Sequence, residues 1–354
     1  MGQAEEFMDK AFADFVGANA VFMAAIGDRL GLFKDLANRG PASAAELAGR
    51  TGLVERYVRE WLVGMAAAGY LTSDDGERYA LPAHHVPVLA EEAGTMFLGN
   101  AFFTYSTVFG DTFHELLKAF RSGGGVSQEL YGPESAESID RFTAPWFEHQ
   151  LIPVWLPLMP EVQAKLEAGA RVCDVGCGRG RALLKLAQAF PRCELVGIDL
   201  YEPSIEAAAE QARAAGVGDR LRFELHDAAE GLPGSFDVIT TFDVLHDSVD
   251  PVGLLTAIHD SLAPDGRYIC VEINCADRVQ DNAGPIGTVL YGLSLAYCLP
   301  VSLAEGGLGL GTCGLPESRL REMALGIDFA QVRRLPLDDP FNNVYELSRT
   351  APSG

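Results

Sequence analysis

The sequence predicts an α/β fold: a doubly wound, mostly parallel sheet with an antiparallel edge strand, preceded by an N-terminal α-helical winged-helix domain. Three observations predict it. From residue 170 onward, short apolar runs alternate with amphipathic segments, as expected of parallel strands buried on both faces by crossover helices. The first of those runs ends in Asp174-Val-Gly176-Cys-Gly178-Arg-Gly180 and passes directly into a helical segment. Before residue 95, two helical segments are followed by a hairpin signal.

Taking the elements in order, residues 11–37 carry Phe12, Phe15, Phe22, Ile26, Leu30 and Leu36 at helical spacing. Ser43-Ala-Ala-Glu46 is a capping box that opens a short helix, closed by Gly52. A second helix follows from Val54, and residues 72–82 read as two short strands around Asp75-Gly76. A winged helix suggests DNA binding, yet Glu55, Arg56, Arg59 and Glu60 on the second helix cancel, and the chain carries a net charge of −22. A nucleic-acid reader needs a basic face, so no nucleic-acid partner is expected and the domain reads as a dimerisation scaffold. Residues 95–165 are rich in Phe, Tyr and Trp and read as helices roofing a pocket. The expected domains are 1–94, 95–165 and 166–354, the last with an insertion at 277–315.

In the C-terminal part, strands are expected at 170–176, 193–200, 220–227, 236–245 and 266–274. Helices fall at 181–191, 204–216 and 251–266. Runs at 329–337 and 342–350 can pair antiparallel at one sheet edge. With 354 residues, 48% hydrophobic and 21% charged, the chain has enough apolar surface for real cores. Only residues 122–126 and 351–354 read as disordered. The acidic N-terminus is not a signal peptide, and no apolar run reads as long enough to cross a bilayer. Seven Cys, with no C-x-x-C pair, read as reduced, mostly buried thiols in the cytoplasm. No metal is expected, although Cys298 with Cys313 leaves a soft-ligand site open.

The glycine loop can let a ligand approach the backbone at a helix N-terminus. About twenty residues on, Asp199 ends the second strand, where a carboxylate can accept from ribose hydroxyls. Asp227-Ala228 ends the third strand, placed to meet an adenine edge. The fourth strand runs into His246-Asp247 within Thr241-Phe-Asp-Val-Leu-His-Asp-Ser-Val-Asp-Pro251. All lie at carboxyl ends of parallel strands, where open α/β sheets bind ligands. The structural alternatives are a tight turn for each glycine, a helix cap for Asp199, and a strand-end polar residue for His246. Asp237 reads as structural.

The segments DVGCGRG, LVGIDL, HDAAEGLP and APDG, spread over residues 170–350, resemble the class I S-adenosylmethionine-dependent methyltransferases, with their Rossmann-like sheet. The resemblance implies that Gly176 and Gly178 lie against the methionine part of the cofactor, that Asp199 binds the ribose, and that Asp227 and Ala228 meet the adenine. It places Leu200 and Phe242 in the same cofactor site and brings Asp174 towards the amino-acid end, directly or through water. S-adenosyl-L-homocysteine would be the product.

LHDSVDP resembles the plant-type O-methyltransferases, which also carry a winged-helix dimerisation domain; Ser248 stands where those enzymes usually have Trp. That likeness implies His246 as general base, Glu272 as the acid that orients it, Asp247 beside it, and a homodimer formed through the N-terminal domain. The whole layout is similar to a bacterial winged-helix group sharing FDxxHDxxDP, VE…D…DN and PFN. A base beside the acceptor suits a neutral nucleophile near pH 7, so the expected reaction is methyl transfer to O, N or S of a small molecule. Trp146, Phe147, His149, Tyr291 and Tyr297 are the expected substrate-pocket residues. Other S-adenosylmethionine chemistry and a ligand-sensing regulator are the alternatives. A cation held by Asp243, Asp247, Asp281 and Asn282 is a further one.

Overall fold

The computed structural model describes residues 2–110 and 112–350; the tail 351–354, expected to be disordered, lies outside the described residues. The chain forms two compact units, 1–110 and 111–354.

In the first unit, α1 (Gln3–Arg29), α2 (Leu32–Arg39), α3 (Ala44–Thr51) and α4 (Glu55–Ala67) surround a core of Phe33, Leu36, Leu47, Leu62 and Met65. The capping box forms: Glu46 N donates to Ser43 Oγ, and Ser43 N donates to Glu46 Oε2 at 2.8 Å. Trp61 packs edge-on to Phe33, with ring centroids 5.1 Å apart, and its Nε1 donates to Met23 O. The expected hairpin is reduced. Only β2 (Arg78–Tyr79) is a strand, and it pairs antiparallel with β1 (Ala42–Ser43), while Thr72 meets Ala80 through a single bridge. The reason is local: Asp75 Oδ1 accepts from both Glu77 N and Arg78 N, an Asx-type turn that takes the N–H groups a ladder would use. On α4, Arg56 pairs with Glu60 and Arg59 with Glu55, so the helix charges cancel in place.

The aromatic segment 95–165 does not stand as one piece. Helix Gly99–Phe109 packs on α1 in the first unit, whereas the helices from Phe113 onward belong to the second.

The second unit is built on seven strands: β3 (Arg171–Val175), β4 (Glu194–Asp199), β5 (Leu221–Leu225), β6 (Phe236–Phe242), β7 (Leu262–Ile273), β8 (Gln331–Arg334) and β9 (Asn342–Ser348). Their order is β5-β4-β3-β6-β7-β9-β8. β3 to β7 are parallel, and β9 runs antiparallel between β7 and the outermost β8. Alternate residues of β3 enter two cores, Val172 with Trp155 and Leu183 on one face, Cys173 with Ile239 and Tyr268 on the other. Asp237, at the start of β6, accepts from Arg171 N at 2.8 Å and ties two strands together.

Among the described residues, two helical runs are long and apolar enough to cross a membrane, contrary to the expectation from the sequence: Gln3–Arg29, whose most apolar 18-residue stretch has mean hydropathy 1.3, and Pro285–Ala304, whose corresponding stretch has 1.6. The second lies within the expected insertion, and Leu290, Ala296, Cys298 and Ser302 are buried in it. A π-helical turn at Ser294–Cys298 interrupts it.

Candidate active site

The loop after β3 is shaped by its glycines. Gly176, Gly178 and Gly180 have φ of 66°, 51° and 78°, a region that side-chain-bearing residues avoid. Their surroundings differ. A Cβ on Gly176 would stand 2.6 Å from Val244 Cγ2, and one on Gly180 2.5 Å from Phe223 Cζ. A Cβ on Gly178 would meet nothing within 4 Å. The first and third glycines therefore serve packing, and Gly178 turns its bare face to open space. The N–H groups of Gly176 and Cys177 both donate to Ile198 O, which fixes the loop to the end of β4.

Asp199 ends β4. Its Oδ2 accepts from Gly178 N at 2.8 Å and its Oδ1 from Tyr201 N at 2.9 Å. The helix that follows opens at Glu202 with Tyr201 as its N-cap, so Asp199 is not its cap; the carboxylate instead ties the glycine loop to the turn after β4. Each carboxylate oxygen keeps a further acceptor position, as a pair of ribose hydroxyls requires. Burial raises the Asp199 pKa against those backbone hydrogen bonds. Asp227 is exposed at the end of β5, with its Oδ1 accepting from Ala229 N, and Ala228 behind it is buried. Leu200, at 65% exposure, borders the same strand ends. Asp174, at the end of β3, is enclosed. It is 1% exposed, and Thr240 Oγ1 donates to its Oδ1 at 2.6 Å across the β3–β6 pair. Burial pushes its pKa up to about 7. An open glycine face, a carboxylate with free acceptor positions and an exposed strand-end Asp fit an adenosine-bearing cofactor.

The second cluster gathers at the ends of β6 and β7. His246 is 2% exposed. Its Nδ1 donates to Glu272 Oε2 at 2.6 Å, and Glu272 Oε1 accepts from Leu245 N at 2.8 Å. Glu272, fully inside β7, thus sets both the ring tautomer and the backbone before it. On the other side, Nε2 faces Asp247 Oδ1 at 3.3 Å. Burial alone would lower the His246 pKa; the Asp247 and Glu272 charges outweigh it and hold the imidazole well above its ordinary range. Asp243 has φ 57°, strained for a non-glycine residue, and burial followed by repulsion from Glu272 pushes its pKa up to about 8. Burial also raises Asp247, against the pull of His246. Cys298 approaches from the insertion. Thr312 Oγ1 donates to its Sγ at 3.0 Å, and burial pushes the thiol up to about 11.

Aromatic side chains of residues 142–155 pack over β6. Phe242 meets Phe147 edge-on at 4.9 Å and Trp155 in a stack at 6.4 Å. Trp146 packs edge-on to Phe142. This segment runs through a π-helical stretch, Phe147–Trp155, which holds half-buried His149. It is strapped to the helix after the glycine loop by Arg181 on Asp140, at 2.9 and 2.6 Å, and by Lys185 on Glu148. Tyr297 packs edge-on to Tyr131 at 4.9 Å, and the Asp247 and Asp199 charges add to burial in raising its pKa. Tyr291, at 39% exposure, does not share this packing. A shallow surface hollow bordered by Glu137, Asp140, Arg179, Arg181 and Gln211 is separate from the His246 cluster.

The cation reading loses two of its four members: Asp281 is exposed and paired with Arg278, and Asn282 bonds both the N and O of Ala276. Among the described residues, Cys298 has ligand atoms of His246 and Asp247 within 4.8 Å, and Cys313 is not in that group. Sequence reasoning missed Thr240, Thr312 and Tyr131. Only Thr240 had a signal, its place in β6 opposite Asp174.

Residues 166–293 match the family described as Methyltransferase domain, and residues 18–91 match the Rv2258c-like winged HTH domain. The chain is 40% identical over 88 residues to the 27-O-demethylrifamycin SV methyltransferase of Amycolatopsis mediterranei, covering 24% of this chain and 32% of that protein. It is 35% identical over 128 residues to the ubiquinone biosynthesis O-methyltransferase of Xanthomonas euvesicatoria pv. vesicatoria, covering 36% and 52%. The chain thus spans about half or less of the length of these curated relatives. In fold it is similar to the mitomycin 7-O-methyltransferase MmcR, with TM-score 0.69 and 22% identity over 99% of this chain and 100% of that one. It is also similar to PigF solved with SAH, with TM-score 0.70 and 21% identity over 98% and 100%.

Proposed function

We infer that this chain, which carries a class I S-adenosylmethionine-dependent methyltransferase domain joined to an Rv2258c-like winged helix, transfers a methyl group from S-adenosyl-L-methionine to a small-molecule acceptor. The observation that carries the reading is the buried His246–Glu272 pair beside the open glycine loop at the carboxyl ends of the parallel strands.

Gly178, Asp199, Asp227 and Ala228 would hold the cofactor, with Leu200 and Phe242 bordering it. When bound, the cofactor supplies an electrophilic methyl group for in-line displacement. The chain's own work is orientation and exclusion of water. Phe147, Trp155 and Phe242 provide an apolar wall, and Trp146, His149, Tyr291 and Tyr297 are the proposed acceptor contacts. His246 acts through Nε2. Glu272 fixes the proton on Nδ1, so Nε2 is the nitrogen that takes the acceptor's proton, and Glu272 then stabilises the imidazolium. The acceptor's O–H, N–H or S–H displaces Asp247 from Nε2 as it enters. The names of the relatives favour oxygen as the acceptor atom.

A homodimer through the first unit completes the proposal. Phe7, Phe12, Phe15 and Phe22 stand exposed along α1, large apolar side chains that a second copy of the chain would cover.

The test is calorimetric titration of wild type and Asp199→Ala with S-adenosylmethionine and S-adenosylhomocysteine, followed by a screen of phenols, amines and thiols. Binding by wild type and its loss in Asp199→Ala is the expected result. With an acceptor in hand, His246→Ala should lower turnover by about 10²–10⁴-fold. No cofactor binding by folded wild type, freed of any carried-over product, would sink the reading.

A further inference from the structure

We propose that His246, Asp247 and Cys298 form a binding site for a thiophilic divalent cation of the zinc class, and that its occupation blocks the imidazole. One ligand atom from each of the three residues lies within 4.8 Å of the other two. A tetrahedral zinc with nitrogen, sulfur and oxygen ligands holds those atoms about 3.5 Å apart, so the group closes on a cation by side-chain adjustments of about an ångström. The donor types are those that zinc prefers; magnesium and calcium would find one carboxylate and no other hard oxygen.

Three further observations point the same way. Asp247 Oδ1 is enclosed and makes no well-aligned hydrogen bond, with His246 Nε2 facing it at 3.3 Å. His246 already has the arrangement that metal-bound histidines show, its far nitrogen donating to a carboxylate, here Glu272 at 2.6 Å. Thr312 Oγ1, at 3.0 Å from Cys298 Sγ, is a hydrogen-bond donor placed to support a thiolate. The grouping of Asp243, His246 and Glu272 is the weaker one. Both Glu272 oxygens are already engaged, by Leu245 N and by Nδ1, which leaves Nε2, facing Asp247 Oδ1 at 3.3 Å, as the nitrogen that Glu272 does not hold.

Binding replaces the proton on the Cys298 thiol, and any proton on Nε2, with the cation; both protons leave to solvent and nothing is oxidised. The Nε2 lone pair is then occupied and cannot accept a proton from a methyl acceptor. That inhibitory consequence rests on the reading of His246 as base, whereas binding of the cation does not.

The experiment is competition for Zn²⁺ against a chromophoric chelator, with wild type, Cys298→Ser, Asp247→Asn and Cys313→Ser, and with circular dichroism to verify folding. S-adenosylhomocysteine titration is run on the same samples. Wild type should hold one zinc per chain. Cys298→Ser and Asp247→Asn should each weaken it about tenfold or more, Cys313→Ser should match wild type, and excess Mg²⁺ should not compete. Absent zinc binding by wild type, binding unchanged in Cys298→Ser, or binding lost in Cys313→Ser overturns the proposal. S-adenosylhomocysteine binding without zinc binding removes the cation site alone; zinc binding without S-adenosylhomocysteine binding removes the methyltransferase reading alone.

Discussion

Gly176 and Gly178 are two residues apart, share a left-handed backbone and look alike in the sequence, so replacing each by alanine separates packing from ligand binding. An alanine forced into that backbone region costs about 1–2 kcal/mol. At Gly178 nothing more is added, because no atom lies within 4 Å of the new methyl group. At Gly176 the methyl group would lie 2.6 Å from Val244 Cγ2, and overpacking adds about 1–3 kcal/mol. For a unit of this size each kcal/mol lowers Tm by about 2–4 °C. Gly178→Ala should therefore melt about 2–8 °C below wild type, with Gly176→Ala lower again. Ligand affinity should run the other way among the folded molecules. The Gly178 methyl enters the space assigned to the cofactor and should weaken S-adenosylhomocysteine about tenfold or more, equivalent to about 1.4 kcal/mol; the Gly176 methyl points at Val244 instead. Differential scanning calorimetry and isothermal titration measure both. Wild-type affinity in Gly178→Ala, or a Gly178→Ala protein less stable than Gly176→Ala, would refute the assignment of the open face to the ligand.

Glu272→Gln keeps the shape of the side chain and removes its charge. A charge-assisted hydrogen bond contributes about 1.5–3 kcal/mol, so the His246 pKa should fall by about one to two units. NMR titration of the imidazole should find wild type protonated well above the ordinary histidine range, under the joint field of Asp247, Glu272 and Asp243, and the variant titrating lower. Because a base must be unprotonated, wild-type turnover should rise as pH rises through that pKa, and the variant's profile should move to lower pH; an unmoved titration would mean that Glu272 does not hold the ring. Phe12→Asp with Phe15→Asp on α1 should convert a dimer to monomer in analytical ultracentrifugation without changing S-adenosylhomocysteine affinity, and an unchanged mass would exclude α1 as the contact.

Much of the second unit was legible because its signals are local. Strand and helix periodicities, a glycine loop between them and polar residues at strand ends can all be read within ten residues. The parallel-sheet rule then puts Asp199, Asp227 and His246 on one side without knowledge of a single contact. The relation of His246 to Glu272 was reached through the family likeness, and the β6–β7 register places the two within 2.6 Å of each other. The winged helix was legible for the same reason, except at its tip, where the Asp75 side chain competes with the ladder and leaves a bridge in place of a strand.

The sequence by itself determined the order of the elements, the left-handed glycines and the polar residues that end each strand, since these follow from backbone preference and from the alternation of apolar residues along the chain. Only the tertiary structure decided which of those residues reach open space and which are enclosed. Asp174 turned inward because the β3–β6 register sets it opposite Thr240. Cys298 came to His246 across 52 residues because its segment is anchored from outside, with Tyr131 Oη donating to Ala296 O and Val126 N to Pro300 O. Neither meeting leaves a periodic trace, because each depends on packing between segments that are distant along the chain.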